Sequence, residues 1–183
     1  MKELSLNILD IVENSVKAGA SLTEITIAEN EETLTLSVKD NGCGMSDDTV
    51  RSVIDPFYTT RTTRKVGLGI PLLKMAAEQT GGGIEITSRQ KDGNSLAHGT
   101  EIKASFYKNH LDFTPLGDVI STMQTLIQGH PDVDFLFIHE APRFSVQMDT
   151  RQMREILGED VPLNSYEIIA WIGDFLREQY ESV

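Results

Sequence analysis

The stretch Asp40-Asn41-Gly42-Cys43-Gly44-Met45 constrains this chain more than any other, because of what leads into it. Thr33 to Lys39 alternates polar and apolar residues, with Leu34, Leu36 and Val38 on one face, the pattern of a half-buried strand. Continuing that period of two puts Asp40 on the same side as the three apolar residues. A carboxylate aimed at an apolar interior is costly unless something hydrogen-bonds it. The glycines beyond it permit turns and close approaches that a Cβ forbids. Two readings follow from the hexapeptide alone. Either the carboxylate accepts from the exocyclic amine of a purine, or the strand ends in an Asn-Gly turn with a solvated aspartate.

Upstream, Leu4 to Ala18 has helical periodicity. Leu4, Ile8, Leu9, Ile11, Val12 and Val16 share one arc at about 100° per residue. Asp10, Glu13, Asn14 and Lys17 form a stripe on the other side, which is either a solvated face or a set of polar groups with work to do. Gly19 is the expected C-cap. Thr23 to Ala28 is a strand that pairs with Thr33 to Lys39 across a polar hairpin. Ser46-Asp47-Asp48 caps a short helix ending near Ile54. Thr59 to Lys65 lacks apolar periodicity, carries Arg61, Arg64 and Lys65, and runs into Gly67-Leu68-Gly69, as a hinged loop does. Ile70 to Gln79 is helical, with Pro71 in its first turn, and strands follow at Ile84 to Arg89 and Thr100 to Phe106.

From residue 108 the texture changes. Leu116 to Ile127 is expected to be a helix, Val133 to His139 and Arg143 to Met148 a strand pair, and Asp149 to Leu157 and Ser165 to Tyr180 two more helices. Asp149 with Gln152, and Asn164 with Glu167, have capping-box spacing. The expected organisation is a unit over residues 1–107 and an α/β segment over 108–183, either a small domain or an extension of the first sheet.

Charge and cysteine content narrow the function classes. A formal charge of -12 disfavours a nucleic-acid backbone as the main partner, though a local basic patch suffices for a nucleotide. The single cysteine, Cys43, precludes an intramolecular disulfide and suits a reducing cytoplasm. It has no His or Asn partner at a nucleophile's spacing, so it is expected to be a small residue filling the turn. Neither a signal-peptide pattern nor an apolar run long enough for a bilayer is present. The phosphate loop GxxxxGK[ST] is absent, so any ATP site has another architecture.

The order of the motifs is more specific than any one of them. Glu13-Asn14-Ser15, Asp40 to Met45, Asp55-Pro56-Phe57-Tyr58-Thr59-Thr60, Gly67-Leu68-Gly69-Ile70 and Gly99-Thr100 follow one another in that sequence. Together they resemble the N box, first glycine box, F box, second glycine box and final Gly-Thr step of the ATPases shared by DNA gyrase, heat-shock chaperones, sensor histidine kinases and mismatch-repair proteins. The resemblance covers about residues 4 to 107. It implies an α+β fold, a two-layer sandwich of the Bergerat type with a mixed sheet under helices, and a small C-terminal α/β extension. It also implies ATP and Mg²⁺ as ligands.

On that resemblance Asn14 presents its oxygen to Mg²⁺ and Lys17 reaches a phosphate. Asp40 and Thr100 fix adenine over the turn of Gly42 and Gly44. Gly67 and Gly69 let backbone amides face the phosphates. Arg61, with Arg64 and Lys65 behind it, closes over the γ-phosphate. Asp10 stands where hydrolysing members carry a glutamate base and many histidine kinases an asparagine. Aspartate keeps the charge but is one methylene shorter, leaving slow hydrolysis and pure binding both open.

The subtype is narrowed by what is absent. With the first helix starting within a few residues of Met1, no dimerising hairpin with a phosphoacceptor histidine is expected before it. His139-Glu140-Ala141-Pro142 has the wrong proline spacing for that role, so a structural histidine is expected. The 76 residues from 108 to 183 are too few for the transducer domain of gyrase-type and mismatch-repair enzymes. The resemblance therefore implies a stand-alone, histidine-kinase-like, cytoplasmic ATP-binding protein. Its expected role is a nucleotide-dependent regulator or assembly factor for a protein partner. The alternative is a protein kinase acting on a Ser or His of another chain, or a slow ATPase. Similar small proteins beside genes for iron-only hydrogenase subunits point to a hydrogenase-related partner, and a homodimer is a further expectation.

Overall fold

A computed structural model describes residues 3–55, 67–93, 97–158 and 160–182. The elements run α1 (Leu4–Lys17), β1 (Leu22–Glu29), β2 (Thr33–Asp40), α2 (Asp47–Ile54), α3 (Gly69–Gln79), β3 (Gly83–Arg89) and β4 (Gly99–Tyr107). The C-terminal part adds α4 (Val119–Gly129), β5 (Asp134–Ala141), β6 (Phe144–Asp149), α5 (Thr150–Leu157) and α6 (Tyr166–Glu181). All six strands form one sheet in the order β3-β4-β2-β1-β5-β6. β1 and β5 are parallel, and the other neighbours are antiparallel. The C-terminal segment thus extends the first sheet, of the two arrangements its sequence left open.

The strand alternation sets which face is covered. Ile25 and Ile27 of β1, Leu34, Leu36 and Val38 of β2, and Phe135 and Phe137 of β5 are buried in one apolar core. The residues between them are only partly covered. α1 supplies Leu4, Ile8, Ile11 and Val12 to that core, α3 supplies Ile70 and Leu73, and α4 supplies Met123 and Leu126. α3 packs on one side of α1 and α4 on the other, with α6 beyond α4. Residues whose period is neither 2 nor 3.6 could not have built these two layers.

Three expectations about element ends are corrected. α4 starts at Val119 rather than Leu116, because residues 115 and 116 serve α1. The Pro115 and Leu116 carbonyls accept from Leu4 N and Ser5 N at 2.9 and 2.8 Å, capping a helix whose own N-cap residue, Glu3, accepts from no helix amide through its side chain. Gly117 then turns the chain at φ +80°, and Asp118 caps α4 by accepting from Ser121 N. The last helix is flanked by Ser165 rather than Asn164, and no side chain caps it. Asp149 does cap α5, but it accepts from Arg151 N, so the reciprocal geometry expected with Gln152 is replaced by an Asp149–Arg151 pair.

A buried polar cluster joins the C-terminal segment to the rest. His139 on β5, 3% exposed, sits between Glu29 at the end of β1 and Tyr180 on α6. Its Nε2 is 2.8 Å from Glu29 Oε1, and its Nδ1 is 2.7 Å from the Tyr180 hydroxyl. Lys108 donates to the other Glu29 oxygen at 2.7 Å. Phe144 closes the cluster edge-on against both rings. His139 is accordingly enclosed rather than presented to a phosphate donor.

Candidate functional site

β2 ends by delivering Asp40 to the covered side of the sheet, as its period demands, and three elements converge on the carboxylate. Oδ1 accepts from Gly42 N at 2.8 Å and Thr100 N at 3.3 Å. Oδ2 accepts from the Ser15 hydroxyl of α1 at 2.7 Å. Each oxygen keeps acceptor capacity, since an ionised carboxylate offers about four lone-pair directions. Asp40 forms the floor of a cavity of about 300 Å³ between α1, the glycine turn and the sheet. That is the low end of the size range of small-molecule sites. Its apolar walls are Ile11, Met45, Val53, Ile70 and Ile102.

The glycine turn lies where only glycine can follow the path. Gly44 has φ +69°, and a Cβ there would lie 1.9 Å from the Arg89 carbonyl oxygen. A Cβ on Gly69 would come 2.8 Å from Asp10 Cβ, so this glycine lets the start of α3 close against α1.

Of the residues singled out by sequence, Asn14, Lys17, Asp40, Gly44, Gly67 and Thr100 line this one cavity. Gly42 stands directly behind it through its bond to Asp40. Asp10 and Gly69 meet each other without lining it. Arg61, the F box from Pro56 onward, and Arg64 and Lys65 lie outside the described residues. Asn14 is half-buried, and its amide has no hydrogen-bond partner among the described residues; a Cβ built on Gly67 would be 4.0 Å from its Oδ1. The polar stripe of α1 is therefore not simply a solvated face. Glu13, the stripe's remaining member, is held by His130 of the C-terminal segment at 2.6 Å. Cys43 is exposed and lines the cavity instead of filling the turn, while its N–H secures the turn to the Ala18 carbonyl.

Sequence reasoning missed three supporting residues. Ser15 carries a readable signal, a hydroxyl inside the apolar arc of α1. His98, whose Nδ1 is 2.6 Å from the Gly42 carbonyl oxygen, precedes the Gly-Thr step but has no periodic signature. Ser88 on β3 accepts from Met45 N at 2.8 Å and lies 2.8 Å from Thr100 Oγ1, a contact that only the strand pairing reveals.

Mg²⁺ takes oxygen ligands, keeps several waters and is completed by substrate phosphates. Asn14 Oδ1 meets that demand. No group of three or more His, Cys, Asp or Glu suited to a metal occurs among the described residues, so a fully protein-built metal cage is not what is offered here.

Comparison with known proteins identifies the family and the fold. Residues 2–109 match the family described as histidine kinase-, DNA gyrase B- and HSP90-like ATPases. The chain belongs to this family. Sensor protein SrrB of Staphylococcus aureus is 32% identical over 101 residues, covering 52% of this chain and 17% of that protein. Among solved structures, the N-terminal domain of a DNA repair protein superposes with a TM-score of 0.58 at 16% identity, over 81% of this chain and 53% of its own. The Aquifex aeolicus MutL ATPase domain complexed with ADP gives 0.54 at 17% identity, over 86% and 69%. At such identities these structures speak for the fold, a mixed α+β sandwich. Among the described residues, no helix is long and apolar enough to cross a membrane.

Proposed function

We propose that this family member binds Mg-ATP and acts as a nucleotide-dependent regulator or assembly factor for a protein partner, as a cytoplasmic protein. The observation that carries the reading is the Asp40 carboxylate, fixed by Ser15, Gly42 and Thr100 yet still able to accept, in a cavity that Asn14 and Lys17 also line. Adenine sits against Asp40 and Thr100, with its exocyclic amine donating to the carboxylate. Lys17 meets phosphate oxygens as a point charge, and the amides around Gly67 at the entry to α3 face the same anion. Asn14 Oδ1 would hold Mg²⁺, which would neutralise phosphate charge when bound. Arg61 closes over the γ-phosphate. A partner that binds the ATP-filled form more tightly than the empty one then reads the nucleotide.

A second reading rests on Asp10, an exposed carboxylate beside Gly69 at the mouth of α3. There it takes a proton from an attacking water. The water oxygen bonds to the γ-phosphorus as the bond to the β–γ bridging oxygen breaks, and ADP leaves with that electron pair. With a Ser or His of another chain as nucleophile, the same displacement makes the protein a kinase.

Calorimetry with ATP and MgCl₂ tests binding directly, with saturable heat expected. Incubation with γ-labelled ATP, alone and with a candidate hydrogenase-related partner, separates the two readings. ATP binding with neither release nor transfer supports the regulator. Turnover that disappears in Asp10→Asn while ATP affinity holds supports the enzyme. No saturable heat with any adenine nucleotide refutes both.

A further inference from the structure

We propose that Ser88 is a specificity-determining residue, setting the base preference of the cavity by fixing the direction of the Thr100 hydroxyl; this rests on the nucleotide reading above. Ser88 has one hydrogen to give and three neighbours. It accepts from Met45 N at 2.8 Å, lies 3.2 Å from the Gly99 carbonyl oxygen and 2.8 Å from Thr100 Oγ1. A carbonyl only accepts, so the contact to Gly99 requires the Ser88 proton. The contact to Thr100 then requires that Thr100 donate to Ser88. The opposite assignment, Ser88 donating to Thr100, leaves the Gly99 contact unmade. The first arrangement makes one more hydrogen bond and is the favoured one.

The consequence appears at the cavity. With its proton turned toward Ser88, Thr100 shows the cavity lone pairs only. Ser15 likewise gives its proton to Asp40, and the Asp40 carboxylate has none to give. The floor therefore presents acceptors throughout, which suits a 6-amino purine and opposes a 6-oxo purine, whose exocyclic oxygen would face them. Thr100 reaches this state through register. Thr23, Asp40, Thr100 and Ser88 occupy one row across β1, β2, β4 and β3. Ser88 closes the row and touches no ligand itself, so it is a positioning residue.

In Ser88→Ala the Thr100 hydroxyl turns freely and can donate into the cavity, so the site accepts a 6-oxo base. The experiment measures calorimetric affinities of ATP and ITP, which differ in the six-position substituent and its adjoining proton, for the intact chain and its variants. The wild type is expected to prefer ATP, and Ser88→Ala to reduce that preference about tenfold. Ser88→Thr, which keeps the hydroxyl, is expected to restore it. Once Thr100 is Val, adding Ser88→Ala is expected to leave the ratio where it was. A merely structural loosening of the Met45 turn would weaken both nucleotides alike and leave the ratio unmoved. An unchanged ratio in folded Ser88→Ala overturns the proposal; should that variant fail to fold, an unchanged ratio in Ser88→Cys does so. A wild type that binds ATP without preference over ITP refutes this inference and leaves the nucleotide site standing. One that binds neither refutes both.

Discussion

The buried His139 cluster makes a quantitative prediction about how the C-terminal segment is held. Neutral His139 donates from Nε2 to the Glu29 carboxylate and accepts the Tyr180 proton at Nδ1. Replacing His139 with Ala leaves Tyr180 without that acceptor, thins the bonding of Glu29 to Lys108 alone, and opens a ring-sized gap beside Phe144. Each half-buried polar group left unmatched costs about 1–3 kcal/mol and the gap adds a similar amount, so His139→Ala should lose about 3–5 kcal/mol. Against a total of about 5–15 kcal/mol for a domain this is large. The pH dependence has a definite sign. Burial, working against Glu29, holds His139 below the ordinary imidazole value of 6.5. The unfolded chain therefore takes the proton first on acidification, and stability is full above about pH 6.5 and falls below it. Burial raises Glu29, but hydrogen bonds from Lys108 and His139 outweigh it and hold the carboxyl below its ordinary 4.5. Its contribution is lost as pH falls further, in the same direction. Urea unfolding followed by Trp171 emission suits this test, because Trp171 is the only tryptophan and stands on α6, stacked on Phe175. Wild type should be measurably more stable at about pH 7.5 than at about pH 5.5, and His139→Phe should shrink that difference. A loss under about 1 kcal/mol in His139→Ala, or equal wild-type stability at both pH values, would refute this account of the cluster.

Three further substitutions test the site and its surroundings. Asp40→Asn replaces an acceptor with a donor facing the purine amine and should weaken ATP binding by about 1.5–3 kcal/mol in calorimetry, with unchanged affinity counting against the pocket assignment. Gly44→Ala places a methyl against the Arg89 carbonyl at positive φ, so denaturation should show a loss of more than about 1 kcal/mol, together with reduced ATP affinity. Thr23→Val removes a fully buried hydroxyl that has no partner among the described residues, and urea midpoints should stay level or rise by the equivalent of about 1 kcal/mol while ATP affinity is unchanged.

What could be read from sequence divides along physical lines. β2 and the placement of Asp40 follow from a period of two, and α1 from a period of 3.6, so both are local properties of short segments. The glycine at position 44 was legible for the same reason, as a turn residue with a forbidden Cβ. Ser88 and His98 were not, because their meaning depends on strands 12 residues apart in sequence and on a loop folded back over the turn. Local patterns also misplaced the start of α4. Leu116 has the right polarity for a helix, but its carbonyl is engaged by Ser5 more than a hundred residues upstream. The polar stripe of α1 was ambiguous by sequence since solvated and functional faces share a spacing; the cavity beneath Asn14 and the His130 contact at Glu13 separate them.

α1 connects these observations, because the C-terminal segment holds it at separated points. Residues 115 and 116 cap its first turn, and His130 fixes Glu13 in its third. Between and beyond those anchors it carries Asp10, Asn14, Ser15 and Lys17. A helix end without its own capping side chain frays unless other groups accept from its first amides. The accepting carbonyls here belong to the connection leading into α4. Anything that shifts α4 therefore acts on the helix bearing the candidate site, through two backbone bonds and one carboxylate–imidazole contact. The extension is in this sense a support for the candidate site.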